Sequence, residues 1–214
     1  MTISKKFKKV AFSLLAGAMI LPTTPVFAAE RNKEQDAFIK DGLNHYISLC
    51  DDRIGYKEID AKELSNLKEI KGSCSYLKIK GDIPDSFKID LVDSILVIEG
   101  DVGLDANISA GVILVRGSLL DGASAQAYNS IWITKDLGKG AEILGEYKVQ
   151  FDGAADNGAS AKSIFEKVKY DETKPHGHNV KIIDELAVEK GPGCPDEDEL
   201  GTSTVSPNEF NLKL

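Results

Sequence analysis

The chain reads as a mainly β protein: a short right-handed parallel β-helix of about five coils, with an N-terminal α-helical cap. Two observations predict this. Five short strand-like segments recur at a nearly constant interval, and a second set of five lies between them at the same interval. Within each segment apolar and polar residues alternate, which is the period of a strand with one buried face.

The first set is Leu77-Lys-Ile-Lys-Gly-Asp82, Leu96-Val-Ile-Glu-Gly-Asp101, Ile113-Leu-Val-Arg-Gly-Ser118, Ile131-Trp-Ile-Thr-Lys-Asp136 and Tyr147-Lys-Val-Gln-Phe-Asp152, with starts 19, 17, 18 and 16 residues apart. The second set begins at Ser86, Ala106, Ala123, Ala141 and Ala159, at intervals of 20, 17, 18 and 18. Turn-forming residues, Asp105, Gly122, Gly140 and Gly158, stand before four of these. One coil cannot bury its inward face alone, but coils stacked about 4.8 Å apart can. Small Ala narrows the interior at the second set, while Ile, Leu, Val and Tyr widen it at the first. An antiparallel sandwich would also give evenly spaced strands, but two interleaved ladders at one period are hard to obtain from hairpins. A left-handed helix of six-residue steps would show an apolar rhythm that this chain lacks.

The run ILVIEGDVGLDANISAGVILVRGSLLDGASAQA resembles the β-helical repeats of bactofilins and of the flagellar-assembly-protein-A family. The shared pattern is a strand ending in Gly-Asp or Gly-Ser, followed by Gly/Asp-Ala-x-Ile/Ala-x-Ala/Gly, over roughly residues 76–163. The resemblance implies a polymer-forming or scaffolding protein, and it carries over no catalytic residue. Along the repeat Gly81, Gly100 and Gly117 give way to Lys135 and Phe151.

The segments outside the repeat follow in order. Residues 1–28 read as a signal peptide. Lys5, Lys6, Lys8 and Lys9 precede an apolar stretch from Val10 to Leu21, Pro22 and Pro25 break any helix, and Val26-Phe27-Ala28 suits cleavage after Ala28. The apolar stretch is short of the ~20 residues needed to span a bilayer. The expected location is therefore the periplasm or the exterior, with no membrane span after cleavage. Residues 29–75 form the cap region, where Phe38, Ile39, Gly42, Leu43, Tyr46, Ile47 and Cys50 fall at helical spacing. Residues 58–70 continue as a turn, a short helix or an irregular first coil. Residues 164–190 read as a C-terminal cap or irregular segment, with Val180-Lys-Ile-Ile183 strand-like. Residues 191–214, rich in Pro and acids, read as a flexible tail.

Charge bounds the partners. The chain has 26 Lys and Arg against 34 Asp and Glu. Removing residues 1–28 takes away four Lys and no acid, so the mature net charge is −12. Nucleic acid and anionic lipid both need a positive face, so the chain is poor material for either, and no nucleic-acid partner is expected. Three Cys allow three single bridges in an oxidising compartment. Cys50–Cys74 is favoured because it ties the helix to the first coil.

Candidate chemistry is sparse. Asp82, Asp101, Ser118, Asp136 and Asp152 fall at matching positions after the first strand. Oxygens from successive rungs suit a hard cation, so Asp101, Asp136 and Asp152 are candidate Ca²⁺ ligands. The commoner role of such Asp residues is to accept backbone N–H bonds at turns. His176 and His178, with Asp171 and Glu172, form a second, thinner metal candidate. Gly-x-Ser-x-Gly and His-Glu-x-x-His motifs are missing. The single Trp132 is expected in the core or half-buried. Three functions remain: a non-enzymatic scaffold with a protein partner or self-association, a carbohydrate-binding or carbohydrate-active protein, and a Ca²⁺-dependent adhesin.

Overall fold

A computed structural model describes residues 24–50 and 54–185, with side chains from residue 31 onward. The expected signal peptide up to residue 23, the tail over residues 191–214 and Cys194 lie outside the described residues. A helix, α1 (Thr24–Leu49), precedes twelve strands: β1 (Gly55–Asp60), β2 (Glu69–Ser73), β3 (Ser75–Lys80), β4 (Lys88–Val92), β5 (Ile95–Ile98), β6 (Asn107–Val115), β7 (Ser124–Ile133), β8 (Glu142–Gly145), β9 (Val149–Phe151), β10 (Ser160–Ser163), β11 (Lys169–Tyr170) and β12 (Lys181–Asp184).

Every pairing is parallel, and the chain is a β-solenoid of about seven turns. The first ladder runs β1, β3, β5, the second half of β6, the second half of β7, β9 and β11. The second runs β2, β4, the first halves of β6 and β7, β8, β10 and β12. A third ladder of single bridges joins Ile83, Val102, Leu119, Leu137, Ala155 and His176. Each coil is therefore three-sided, and the third side is too short to show a strand period in the sequence.

Two turns more than the five anticipated come from the ends. β1, β2 and a 3-10 segment (Ala61–Asn66) form a complete first coil where a helical cap region was expected. Asp60 caps that segment, its carboxylate accepting the Lys62 N–H while its own N–H donates to the Glu63 carboxylate, and Leu64 projects into the core fully buried. At the other end β11 and β12 close a coil in which Tyr170 stacks on Phe151.

The register also corrects the repeat. Leu77, Leu96, Ile113, Ile131 and Val149 are aligned, and Phe151 continues the buried column of Ile133. The fifth first-set segment thus starts at Val149, not Tyr147, because Val149 and Phe151 point inward while Tyr147 is exposed. Likewise Ile89 aligns with Ile108, so the second set starts at Phe87 rather than Ser86. Both ladders then repeat at 19, 17, 18 and 18 residues. Two residues before each second-ladder strand from β4 onward the backbone is left-handed: Ser86, Asp105, Gly122, Gly140, Gly158 and Asn179 all have φ between 52° and 74°. Gly, Asn and Asp tolerate that conformation best.

The helix does not close the end of the stack. It crosses the outer face of the first ladder, where Ile39 and Tyr46, with Phe38 and Leu43, pack on Ile95, Val97, Val112, Leu114 and Trp132. The approach is close: a Cβ on Gly42 would meet Val112 at 2.8 Å, and one on Gly111 would meet the Tyr46 ring at 2.4 Å. α1 begins at Thr24 although Pro22 and Pro25 were expected to break any helix. Pro25 falls in the first turn, where the missing N–H removes no intrahelical bond. Cleavage after Ala28 would leave the docked part intact. Cys50 and Cys74 lie at disulfide distance, with Cα atoms 5.6 Å apart, fixing the end of α1 to the first coil as anticipated. No described helix is long and apolar enough to cross a membrane.

Candidate functional site

The acid column is built from the register upward. Asp82, Asp101, Ser118, Asp136 and Ala154 each precede a residue of the third ladder. Asp82 Oδ1 accepts the Asp101 N–H at 2.8 Å, Asp101 Oδ1 accepts that of Ser118 at 2.7 Å, and Asp136 Oδ1 accepts that of Ala154 at 2.7 Å. The Ser118 hydroxyl faces the Asp136 N–H at 3.4 Å. Each carboxylate thus satisfies a backbone donor on the next rung, which the loose turn geometry leaves without a ladder partner. A second column works the same way: Asp85 accepts from Leu104, Asp121 from Lys139 and Asn157 from His178. The glycines beside the first column make room. A Cβ at Gly117 would lie 2.4 Å from Asp101 Oδ1, and one at Gly153 would lie 2.2 Å from Asp136 Oδ1. Gly153, not Phe151, is therefore the glycine of the fifth coil, and Lys135 alone departs from the pattern.

Asp152 does not belong to that column. It aligns with Thr134, two residues earlier in the coil, and points outward beneath α1. There it pairs with Arg31, accepts Trp132 Nε1–H at 2.7 Å and accepts Gln150 Nε2–H at 2.8 Å. The proposed Ca²⁺ ligands Asp101, Asp136 and Asp152 are thus not brought together. Among the described residues no group of three or more His, Cys, Asp or Glu converges. His176 instead packs its ring nearly perpendicular to those of Tyr170 and Phe151 at the last coil, and the His178 N–H is held by Asn157. Trp132 is 4% exposed, roofed by Phe38 with ring centroids 5.7 Å apart.

The open concave surface lies beside α1. A cleft of about 730 Å³ runs between Glu34, Phe38 and Asp41 of the helix and Lys148, Gln150, Glu166, Lys167 and Lys169 of the last coils. Smaller recesses continue it past Asp152 and Lys174 at one end and past Gly42, Asn129 and Tyr147 at the other. Lys148 Nζ stands 3.7 Å from Asp41 across the cleft.

The corner joining the second ladder to the first bounds this cleft. In the early coils it carries Cys74, Ser94 and Gly111, and α1 lies against it. Burial, with Asp93 and Glu146 nearby, pushes the Tyr46 phenol up to about 12. In the later coils the same corner carries Tyr128, Tyr147 and Phe165, which are exposed by 44%, 44% and 48%. Tyr147 and Phe165 lie 5.0 Å apart, ring to ring. None of the three, nor Lys148 or Glu166, was singled out as a site residue from the sequence. Large aromatics at a turn, outside the strand alternation, were the available signal.

No family model, curated protein or solved structure matches the chain.

Proposed function

We propose that the protein is an exported, non-enzymatic β-solenoid scaffold or interaction protein that associates through the ends of its stack. The observation that carries this is the engagement of its acids: the Asp columns are occupied in holding one rung to the next. The outward faces and the terminal coils remain as its working surfaces. The basic and apolar start of the sequence and the Cys50–Cys74 pair support export, since such pairs persist in oxidising compartments. The resemblance to bactofilin repeats supports scaffolding.

The terminal strands are chemically matched. β1 and β2 sit at one end and β11 and β12 at the other, each with one strand partner among the described residues. A second copy stacked head to tail would continue both ladders in parallel. In that register Lys169 falls over Glu58 and Lys181 over Glu69, and the inward Tyr170 and Ile182 fall over Ile59 and Ile70. Such heterologous contacts extend rather than close.

Light scattering on residues 29–214, with and without Ca²⁺ and reductant, tests this. Concentration-dependent oligomers are expected, weakened by Lys181→Glu and restored when Lys181→Glu is mixed with Glu69→Lys. A monomer under every condition would overturn self-association. Ca²⁺-dependent association would favour the adhesin reading instead.

A further inference from the structure

The corner aromatics call for a reason of their own. Turn positions of a solenoid normally carry small or polar residues, and the early coils follow that rule with Cys74, Ser94 and Gly111. There the helix covers the corner, and small residues let it approach. At the last three corners the helix stands off across the cleft, with Asp41, Gly42 and His45 lining the same recess as Tyr147, so the corner is left partly open to water. Water-facing positions would ordinarily be polar, yet they hold Tyr128, Tyr147 and Phe165. Three exposed aromatics along one corner mark a contact surface.

What lies beside them defines the ligand. Tyr147 lines a recess of about 450 Å³ together with Asn129, Ser130, Lys148, Glu166 and Asp41. An aromatic face flanked by amide, hydroxyl and paired ionic groups is complementary to a pyranose. The ring's C–H face packs on the aromatic, and its hydroxyls need fixed donors and acceptors close by. Lys148 has Asp41 opposite it, and Glu166 adds a further negative charge. Acids outnumber bases in that recess, and on a mature chain of net charge −12 this disfavours uronate-rich or sulfated glycans.

We propose that the open corner around Tyr147 and Phe165 binds a neutral glycan, built of hexose or N-acetylhexosamine units, with Asn129, Lys148 and Glu166 fixing its hydroxyls. This names a ligand for the non-enzymatic binding scaffold proposed above and rests on that reading only in supposing that the glycan is held and not cleaved.

Calorimetric and NMR titration of the mature protein with triacetylchitotriose and with cellotriose is the test. At least one is expected to bind with a dissociation constant around a millimolar. Tyr147→Ala or Phe165→Ala should weaken it about tenfold, while Tyr147→Phe, which keeps the ring, and Tyr56→Ala, which removes an exposed aromatic from β1 at the opposite end of the stack, should change it little. Both variants alter exposed side chains, so a matching far-UV spectrum will confirm folding. Absence of binding by either sugar at millimolar concentration, binding unaffected by Tyr147→Ala and Phe165→Ala together, or binding only to a peptide ligand would overturn the site, leaving the scaffold reading standing. Cleavage of a bound oligosaccharide would keep the site and overturn the non-enzymatic reading.

Discussion

The two long ladders share a backbone and a period but are buried differently. In the second, strands alternate strictly: β4, β8 and β10 bury every other residue, and their outer faces meet water. In the first, β5 and the second halves of β6 and β7 are buried on both faces. α1 makes the difference, since it roofs that ladder. A strand buried on both sides reads as an unbroken apolar run, as Ile95-Leu-Val-Ile98 and Val112-Ile-Leu-Val115 do. The period of the coil thus comes from the inward residues that both ladders share. The place of the helix is written in the outward residues that only one of them has.

The sharpest way to break this comparison is a charge on each outer face. Leu114→Lys puts an ammonium among Ile39, Val97, Trp132 and the other apolar side chains under α1 and should cost at least about 3 kcal/mol. Gln126→Lys, on the exposed outer face of β7, should stay within about 0.5 kcal/mol. Urea unfolding of both variants checks the pair, and equal effects would mean that the helix does not seal the first ladder. Next in size is the tether. Reducing Cys50–Cys74, or replacing both with Ala, should lower stability by roughly 3 kcal/mol and loosen α1 before the coils. Hydrogen exchange should then rise in residues 31–50 more than in the solenoid.

Smaller effects sharpen the contrast inside the core. Ala125→Leu overfills the narrow second ladder, which is lined at that level by Ile108 and Ile143, and should cost about 1–3 kcal/mol in thermal unfolding. An effect of comparable size is in pH. Burial, then Asp93 and Glu146, raise Tyr46 from 10.0 to about 12. Its contribution is intact below pH 10 and is lost as pH rises through about 12. An alkaline melting series should show Tyr46→Phe losing less stability over that window than the parent.

What the sequence disclosed follows the same division. The period, the parallel solenoid and the Cys50–Cys74 pairing were legible because each depends on residues local to one coil or on a spacing. The third ladder was not, since one bridge per coil has no period of its own. The fifth coil was misread because Tyr147 looks like a strand residue by composition and is in fact a corner residue. Asp152 was placed in the acid column for the same reason, and its partners Arg31, Trp132 and Gln150 come from three different elements. The helix was legible from its spacing, but its docking place was not, because capping arguments concern the ends of a stack and not its flank. The aromatic corner escaped because its residues neither alternate nor form a motif.

Trp132 offers the most direct test of the roofed ladder, since it is the only tryptophan in the chain. Its emission and acrylamide quenching should be compared in the parent and in Arg31→Ala, Phe38→Ala and reduced forms. A docked helix predicts blue-shifted emission and weak quenching in the parent, with a red shift and freer quenching in the altered forms while far-UV strand signal persists. Water-exposed emission in the parent, or no response to any of the three changes, would contradict the account.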